Sequence, residues 1–375
     1  MSCERPAKRS RLSTPDSDVS GTLDGASCTH GDIPVTVQED EDVWFWDGDV
    51  ILSPQGRAPS FRVYRDLLER ESPVFRSIFA QTIPDAAKTA DGCPVVYLND
   101  SASQLKTFLL VLLCGENYYY EHTGYAFSIT FENLSALIRL GHKYQIQDIV
   151  DDGVARLKRF YPIDYCEWED RAIRSVYVTA TGADAPEAIS LAYLTDTPSI
   201  LPTAYLTCAT LGSEPPPVED EDEDEDEDGG ETAQDHSLLS LVRTLAPSDL
   251  ERVISGKLAL GRSRAVRLLS ILRAVPAPYC TREERCIIAH QRNLRECRVD
   301  DFKHAVDSAQ AFEPLHEWLW ESVDEVALCG ACATESSQID ERMALGTWCE
   351  LPSMFNLSVE GWPKTWRDVL ESSLA

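Results

Sequence analysis

Cysteine residues come closest to forming a chemical site in this sequence. Six of the twelve cysteines lie after residue 279, and two of them form the motif Cys329-Gly-Ala-Cys332. This spacing lets two thiolates occupy two corners of a zinc tetrahedron, and Cys280 with Cys286 would supply the other two corners. The pattern makes one structural zinc ion, held by these four cysteines, the candidate cofactor of the chain.

Three interpretations of these cysteines are open. Cys280 and Cys286 are separated by five residues, a wider spacing than zinc-ligand pairs usually have, and His290 competes as a ligand. The wide spacing favours inert thiols buried in a helical core over a metal site. A thioredoxin-like redox use of the CxxC motif is the weakest interpretation, because no βαβ pattern surrounds it.

No motif in the sequence predicts an enzyme. The chain contains no GxGxxG after a strand, no GxxxxGK followed by Ser or Thr, no GxSxG and no HExxH. We therefore expect a protein that binds other proteins and is not an enzyme. A thiol-dependent or zinc-dependent enzyme is the alternative.

Length and charge limit the class of protein further. The 375 residues are more than one small core needs, so two domains with tails are expected. The formal net charge of −29 argues against nucleic-acid binding, because attraction to phosphates depends on clustered Lys and Arg.

The expected location of the protein is the nucleus or the cytoplasm. No apolar run approaches the roughly 20 residues of a membrane span, and no apolar segment typical of a secretory signal opens the chain, so reduced thiols are expected. The basic residues Arg5, Lys8, Arg9 and Arg11 resemble a nuclear-import signal. A tail that is only soluble is an equal alternative.

Composition changes along the chain predict five segments. The acidic run Glu219–Asp228 cannot be buried and marks a linker between two domains. The segments are a disordered tail (1–42), an α+β domain (43–161), a helical extension (162–211), an acidic disordered linker (212–236) and a helical, cysteine-containing domain (237–375).

Hydrophobic patterns place strands and helices in the α+β domain. Phe61 and Val63 alternate with polar neighbours, which is typical of a half-buried strand. Ser72-Pro73 predicts a helix start, because the serine hydroxyl can accept from the first turn and proline loses no hydrogen bond there. Further strands are predicted at Val50–Leu52 and Val95–Leu98, followed by helices, and this mixture defines an α+β fold.

The stretch from Phe61 to Phe79 resembles the signature of the BTB/POZ domain. The second half, with CGAC followed by WCELPSMFNL, resembles the helical region that follows this domain in many fungal BTB-containing proteins. The residues that match the signature are Phe61, Val63, Tyr64, Arg65, Leu67, Leu68, Ser72, Phe75 and Phe79.

The resemblance implies a self-associating protein. Asp49 and Arg65 match the two charged residues of the pocket at the centre of the BTB homodimer, and Tyr64 stands where the family usually has histidine. The alternative is a local salt bridge that only orients a strand and a helix. Either interpretation requires the two charges to be paired, because a buried lone charge costs several kcal/mol by rough estimate.

The resemblance also implies a cullin of a ubiquitin ligase as a partner. BTB adaptors carry a hydrophobic residue, any residue and a glutamate after the second helix, and Ile83-Pro84-Asp85 lies at that place. Ile83 would then be an apolar anchor and Asp85 a shortened glutamate. A transcriptional regulator or a scaffold uses the same dimerising module, so the client protein is not identified by sequence.

A basic and apolar helix is predicted at Leu258–Leu272. Its arginines have no interleaved aromatic residues, so an exposed helix face is favoured over a nucleic-acid patch. The arginines of this region are Arg262, Arg264, Arg267 and Arg273.

Overall fold

The computed structural model describes residues 37–55, 58–82, 89–90, 92–114, 128–211, 244–296, 311–315 and 328–372. The chain divides into two compact units. The first comprises the described residues up to 128 together with 132–150, and the second comprises 129–131 with the described residues from 151 onward. The basic cluster and the predicted acidic linker lie outside the described residues.

The first unit contains a mixed sheet and the helices that follow its strands. The strands are β1 (Glu39–Trp44), β2 (Val50–Pro54), β3 (Ser60–Val63), β4 (Thr89–Ala90) and β5 (Cys93–Leu98). The helices are α1 (Arg65–Glu71), α2 (Pro73–Thr82), α3 (Ala102–Cys114), α4 (Phe131–Tyr144) and the start of α5 (Gln147–Phe160).

Strand β2 is the centre of this sheet, whose order is β1-β3-β2-β5-β4. It pairs antiparallel with β3, with Val50 opposite Val63, and parallel with β5, with Ile51 opposite Val95. All five residues of β2 are buried, so both faces of the sheet are covered at this central strand. The expectation of an α+β fold is confirmed.

The predicted helix start at Ser72-Pro73 is confirmed. The Oγ of Ser72 accepts from the amide of Phe75 at 3.0 Å and donates to the carbonyl of Tyr144 at 2.6 Å. The rings of Phe75 and Tyr144 stack with centroids 4.1 Å apart. The serine therefore caps α2 and also joins it to the end of α4.

Strand β1 corrects the predicted boundary of the disordered tail. It begins at Glu39, inside the segment 1–42 that composition alone marked as solvated. Asp40 is buried and its carboxylate accepts from the amide of Val43 at 3.0 Å. Lys106 of α3 forms ion pairs with Asp40 at 3.1 Å and with Asp42 at 2.7 Å. These contacts hold an acidic strand that has too few apolar residues to be recognised from its sequence.

The described residues of the second unit are mainly helical. Two short strands, β6 (Ile129–Thr130) and β7 (Val178–Thr179), pair in parallel. The helices are the rest of α5, then α6 (Tyr165–Glu169), α7 (Arg171–Ser175), α8 (Ala185–Leu194), α9 (Leu201–Thr210), α10 (Pro247–Leu272), α11 (Glu283–Glu296), α12 (Gly330–Met354) and α13 (Trp366–Ser372). None of the helices in the described part of the chain is long and apolar enough to cross a membrane.

The long helices α10 and α12 pack antiparallel. Ser263 and Thr347 join their hydroxyls at 2.6 Å, and further along α10 the guanidinium of Arg267 donates to Asp340 Oδ1 at 2.6 Å. Trp348 of α12 is fully buried and donates through Nε1 to the carbonyl of Ile163 at 3.1 Å. These contacts fix the helix whose first turn carries the CxxC motif.

Two of the four arginines predicted to lie on an exposed face are buried. Arg267 donates to Asp340 and to the carbonyls of Ala311 and Glu313, and Arg264 lies 3.7 Å from the Glu313 carboxylate. Arg267 therefore contacts α12 through Asp340, while Arg262 and Arg273 are exposed. The prediction of one exposed basic face was wrong, because the buried arginines have partners far away in sequence.

Candidate metal centre

Three elements of the second unit bring the four cysteines together. Cys280 lies between α10 and α11, on a turn in which its amide donates to the carbonyl of Ala277 at 2.9 Å. Cys286 is in the first turns of α11, Cys329 is the residue that precedes α12, and Cys332 lies in the first turn of α12. The four Sγ atoms all lie within 4.8 Å of one another.

Backbone amides surround the sulfur atoms with hydrogen-bond donors. The amide of Cys329 donates to Cys286 Sγ at 3.4 Å, and the amide of Ala277 donates to Cys332 Sγ at 3.3 Å. The amide of Cys332, followed by that of Thr281, lowers the pKa of the Cys329 thiol to about 6. These donors stabilise negative charge on sulfur.

Burial acts in the opposite direction on the other thiols. It raises the pKa of Cys332 to about 12 and also raises the pKa of Cys286. Cys332 and Cys286 are each 1% exposed, and their neighbours include the apolar residues Ala277, Ala289 and Leu328. Deprotonating all four thiols in this apolar pocket therefore requires a compensating positive charge.

The distances between the sulfurs are compatible with a tetrahedral metal ion. Zinc with four Zn–S bonds of about 2.3 Å places its sulfurs about 3.8 Å apart. Cys329 Sγ lies 3.6 Å from Cys280 Sγ, and no pair within the cluster exceeds 4.8 Å. Small movements of the side chains would complete the geometry. Four thiolates would fill every position of a tetrahedral ion, which is the arrangement of a structural site and not of a catalytic one.

His290 is not one of the residues whose ligand atoms meet at this cluster. It lies one turn after Cys286 on α11 and is buried, and its Nε2 has no hydrogen-bond partner in the described part of the chain. Burial lowers the pKa of His290, so the imidazole is neutral. The sequence-based proposal of His290 as a competing ligand is not supported by this geometry.

Asp49 and Arg65, two of the residues predicted to bind proteins, are adjacent on the first unit. Asp49 is exposed, and its carboxylate accepts from the backbone amide of Arg65 at 2.7 Å. The Arg65 guanidinium pairs with Glu69 at 2.5 Å, one turn along α1. The expected pairing of the two charges is corrected, because an exposed carboxylate carries no burial cost that requires a cation. Asp49 instead satisfies the first amide of α1.

Tyr64 and one residue that sequence reasoning missed lie at the same end of the sheet. The Tyr64 hydroxyl donates to Asp47 at 2.7 Å, and its ring lies 5.1 Å from that of Phe45. Trp46, between Phe45 and Asp47 in sequence, is 79% exposed. Only its acidic neighbours in sequence hinted that this tryptophan would face solvent. Ile83 and Asp85 lie outside the described residues.

Comparison with known proteins gives no family for this chain. No protein-family model matches it, and no curated protein matches it at a significant level. Its function must therefore be inferred from the four-cysteine cluster and from the surface near Asp49.

Proposed function

We propose that this chain is a protein-binding module whose second unit is stabilised by one structural zinc ion. The observation that carries the zinc proposal is the convergence of four sulfurs within 4.8 Å, three of which accept hydrogen bonds from backbone amides. Thiolates in this arrangement repel one another, and a divalent cation removes the repulsion. The ion would join the segment before α11 to the start of α12.

The zinc would act on folding and not on a substrate. Four cysteine ligands leave no open position for water, so no catalytic step is proposed for the ion. Because the site does not exist in the unfolded chain, the free energy of zinc binding would stabilise the folded second unit. The proposal includes a nuclear or cytoplasmic location, where thiols stay reduced.

Metal analysis of the purified full chain tests the zinc proposal. We expect one zinc per chain, and the same yield for Cys166→Ser, a matched control outside the cluster whose thiol is exposed. Cys329→Ser with Cys332→Ser should lose the metal and lower the thermal stability of the second unit. A folded wild-type chain without stoichiometric zinc, and without a tetrahedral thiolate spectrum after cobalt(II) addition, would leave the cysteines as ordinary core residues.

The binding role is proposed for the first unit, as a BTB-type domain that self-associates near Asp49. The hairpin β2–β3 leads into the helix pair α1–α2 and then into β5, which is the order that the resemblance implies. Trp46 supports this surface, because a tryptophan that is 79% exposed next to the proposed face is typical of an interface anchor. A cullin adaptor, a transcriptional regulator and a scaffold are the three roles that such a module could serve.

Sedimentation of the full chain over a range of concentrations tests this role. Trp46→Ala should weaken self-association about tenfold or more, as expected for a buried aromatic anchor. Tyr97→Ala is the matched control, since Tyr97 is also exposed, at 58%, on the same sheet. Equal self-association of the wild type and Trp46→Ala would exclude this face as the contact.

A further inference from the structure

The solvent-facing stripe of α10 is apolar where a helix exposed to water is normally polar. From residue 252 to residue 272 the exposed positions, here called the α10 stripe, are one arginine and four large aliphatic residues. Ile254, Leu258 and Val266 are more than half exposed, and Leu269 is 36% exposed. The stripe consists of Ile254, Leu258, Arg262, Val266 and Leu269.

The members of the α10 stripe share one face of the helix. At about 100° per residue they fall within an arc of about 120°. With Arg273, which directly follows the helix and is also exposed, they extend over about 29 Å at about 1.5 Å per residue. The apolar residues of the stripe, interrupted once by Arg262, extend over about 22 Å, and an apolar helix face of this length is typical of a surface that another helix covers.

We infer that the α10 stripe is a second self-association surface, on which α10 of one chain packs antiparallel against α10 of another copy. A twofold contact requires a surface that complements itself. In the antiparallel register that sets Leu258 opposite Leu269 of the partner copy, Arg262 faces Ala265, one residue before Val266, and Arg273 faces Ile254. The apolar positions therefore meet, and neither arginine faces an arginine directly.

Charge selects this register over the alternatives. A parallel pair would set each arginine of the stripe against the same arginine of the other copy. An antiparallel pair centred on Arg262 would do so at that residue, whereas the register above offsets the two Arg262 residues by three positions, or about 4.5 Å along the helix axis. In the register above, Arg273 instead lies within one turn of Glu251, the exposed acidic residue at the other end of the stripe. Between Arg252 and Arg273 the sequence contains no acidic residue that would form such pairs within a single helix.

The contact is small, so it predicts a weak dimer. A strip about 29 Å long and about 10 Å wide covers about 300 Å² on each chain. This is below the roughly 800 Å² per partner of a standard stable interface, so only a weak, concentration-dependent dimer is expected. The surface is distinct from the proposed contact near Asp49, which lies on the first unit.

A charge-swap experiment on the full chain tests the inference. All chains carry Trp46→Ala, so that the proposed contact of the first unit does not contribute. By sedimentation equilibrium, the chain with Trp46→Ala alone should dimerise, and adding either Leu258→Glu or Leu269→Lys should weaken dimerisation at least tenfold. An equimolar mixture of those two variants should restore it, because the antiparallel register sets one introduced carboxylate against one introduced ammonium and leaves the other leucine pair intact.

Two controls separate loss of this contact from a change in helix charge or in folding. Ser248→Glu adds the same charge to the same helix outside the stripe, so it should leave dimerisation unchanged. Circular dichroism melting of the two stripe variants should match that of the parent, since both leucines are exposed. A monomeric parent, or a mixture that associates no better than either variant alone, would overturn the inference. Dimerisation seen only after deletion of residues 219–228 would also overturn it, because the acidic run of the same chain would then be what covers the α10 stripe.

Discussion

Replacing Gly256 by alanine tests the packing of α10 against the end of α12. A Cβ added at Gly256 would lie 1.9 Å from Cε1 and 2.2 Å from Cδ1 of Phe355. Phe355 is fully buried, and its ring stacks on Tyr205 with centroids 5.5 Å apart. The ring therefore cannot move away without disturbing its contact with α9.

The expected loss of stability follows from two opposing effects. Alanine in a helix interior is favoured over glycine by about 1 kcal/mol. Carbon atoms in contact prefer a separation of about 3.5 Å, so the Phe355 ring would have to move by roughly 1.6 Å. Overpacking of this kind costs about 1–3 kcal/mol, and more when the backbone must shift. Because the contact is with a fully buried ring, we place the cost at the upper end and expect a net loss of about 2 kcal/mol.

Gly346→Ala is the matched control for this substitution. Gly346 lies inside α12. Apart from the neighbouring backbone of α12 itself, no heavy atom lies within 4 Å of a Cβ added at this position. Gly346→Ala should therefore stabilise the chain by about 0.5–1 kcal/mol. Urea denaturation of both variants, followed by tryptophan fluorescence, measures the difference. If Gly256→Ala stabilises the protein as much as Gly346→Ala does, the close approach of α10 to Phe355 is refuted.

Three further changes test other contacts. Arg267→Met should destabilise the second unit by about 3–5 kcal/mol in urea denaturation, because it leaves Asp340 buried without its cation. A smaller loss of stability in the double variant with Asp340→Leu would confirm the pairing. The amide of Thr365 donates to Asp368 and lowers the pKa of its carboxyl group. The stabilisation of α13 by this carboxylate is therefore complete above about pH 4 and is lost on acidification. Asp368→Asn should reduce thermal stability at neutral pH and have no effect at low pH. If a cullin is a partner, calorimetry with its N-terminal domain should show that Ile83→Ala weakens binding by about 2 kcal/mol. No binding by the wild-type chain would favour a role as a scaffold or as a transcriptional regulator.

Local patterns in the sequence were enough to locate strands β2, β3 and β5 and the helix start at Ser72 in the first unit. Phe61 and Val63 are both buried, as their alternation with Arg62 predicts. The cap at Ser72 follows from the chemistry of one residue and its neighbours. The parallel pairing of β2 with β5 could not be predicted in this way, because it depends on contacts between segments about 40 residues apart.

Buried charge was the main source of error. Asp40 was assigned to a disordered tail because few large apolar residues surround it in sequence, and Arg267 was assigned to an exposed helix face because no aromatic residues are interleaved with the arginines there. In the fold, Asp40 pairs with Lys106, and Arg267 pairs with Asp340, which lies 73 residues further along the chain. Sequence spacing carries no information about partners at such distances, so the burial of an ionised group can be recognised only after the helices have been placed.

The four-cysteine cluster shows how spacing and fold combine at the candidate metal centre. Spacing identified the CxxC motif, but it counted against Cys280 and Cys286, because five intervening residues are more than zinc-ligand pairs usually have. The fold accommodates them by placing Cys280 on the turn before α11 and Cys286 within the first turns of that helix.

The starts of two helices therefore meet at the sulfurs. Helix starts carry unpaired amides and a partial positive charge, and both stabilise thiolates. Four neutral thiols would gain little from these donors, whereas four thiolates in an apolar pocket would repel one another strongly. A divalent cation would satisfy both conditions, so the arrangement is compatible with the structural zinc site proposed above.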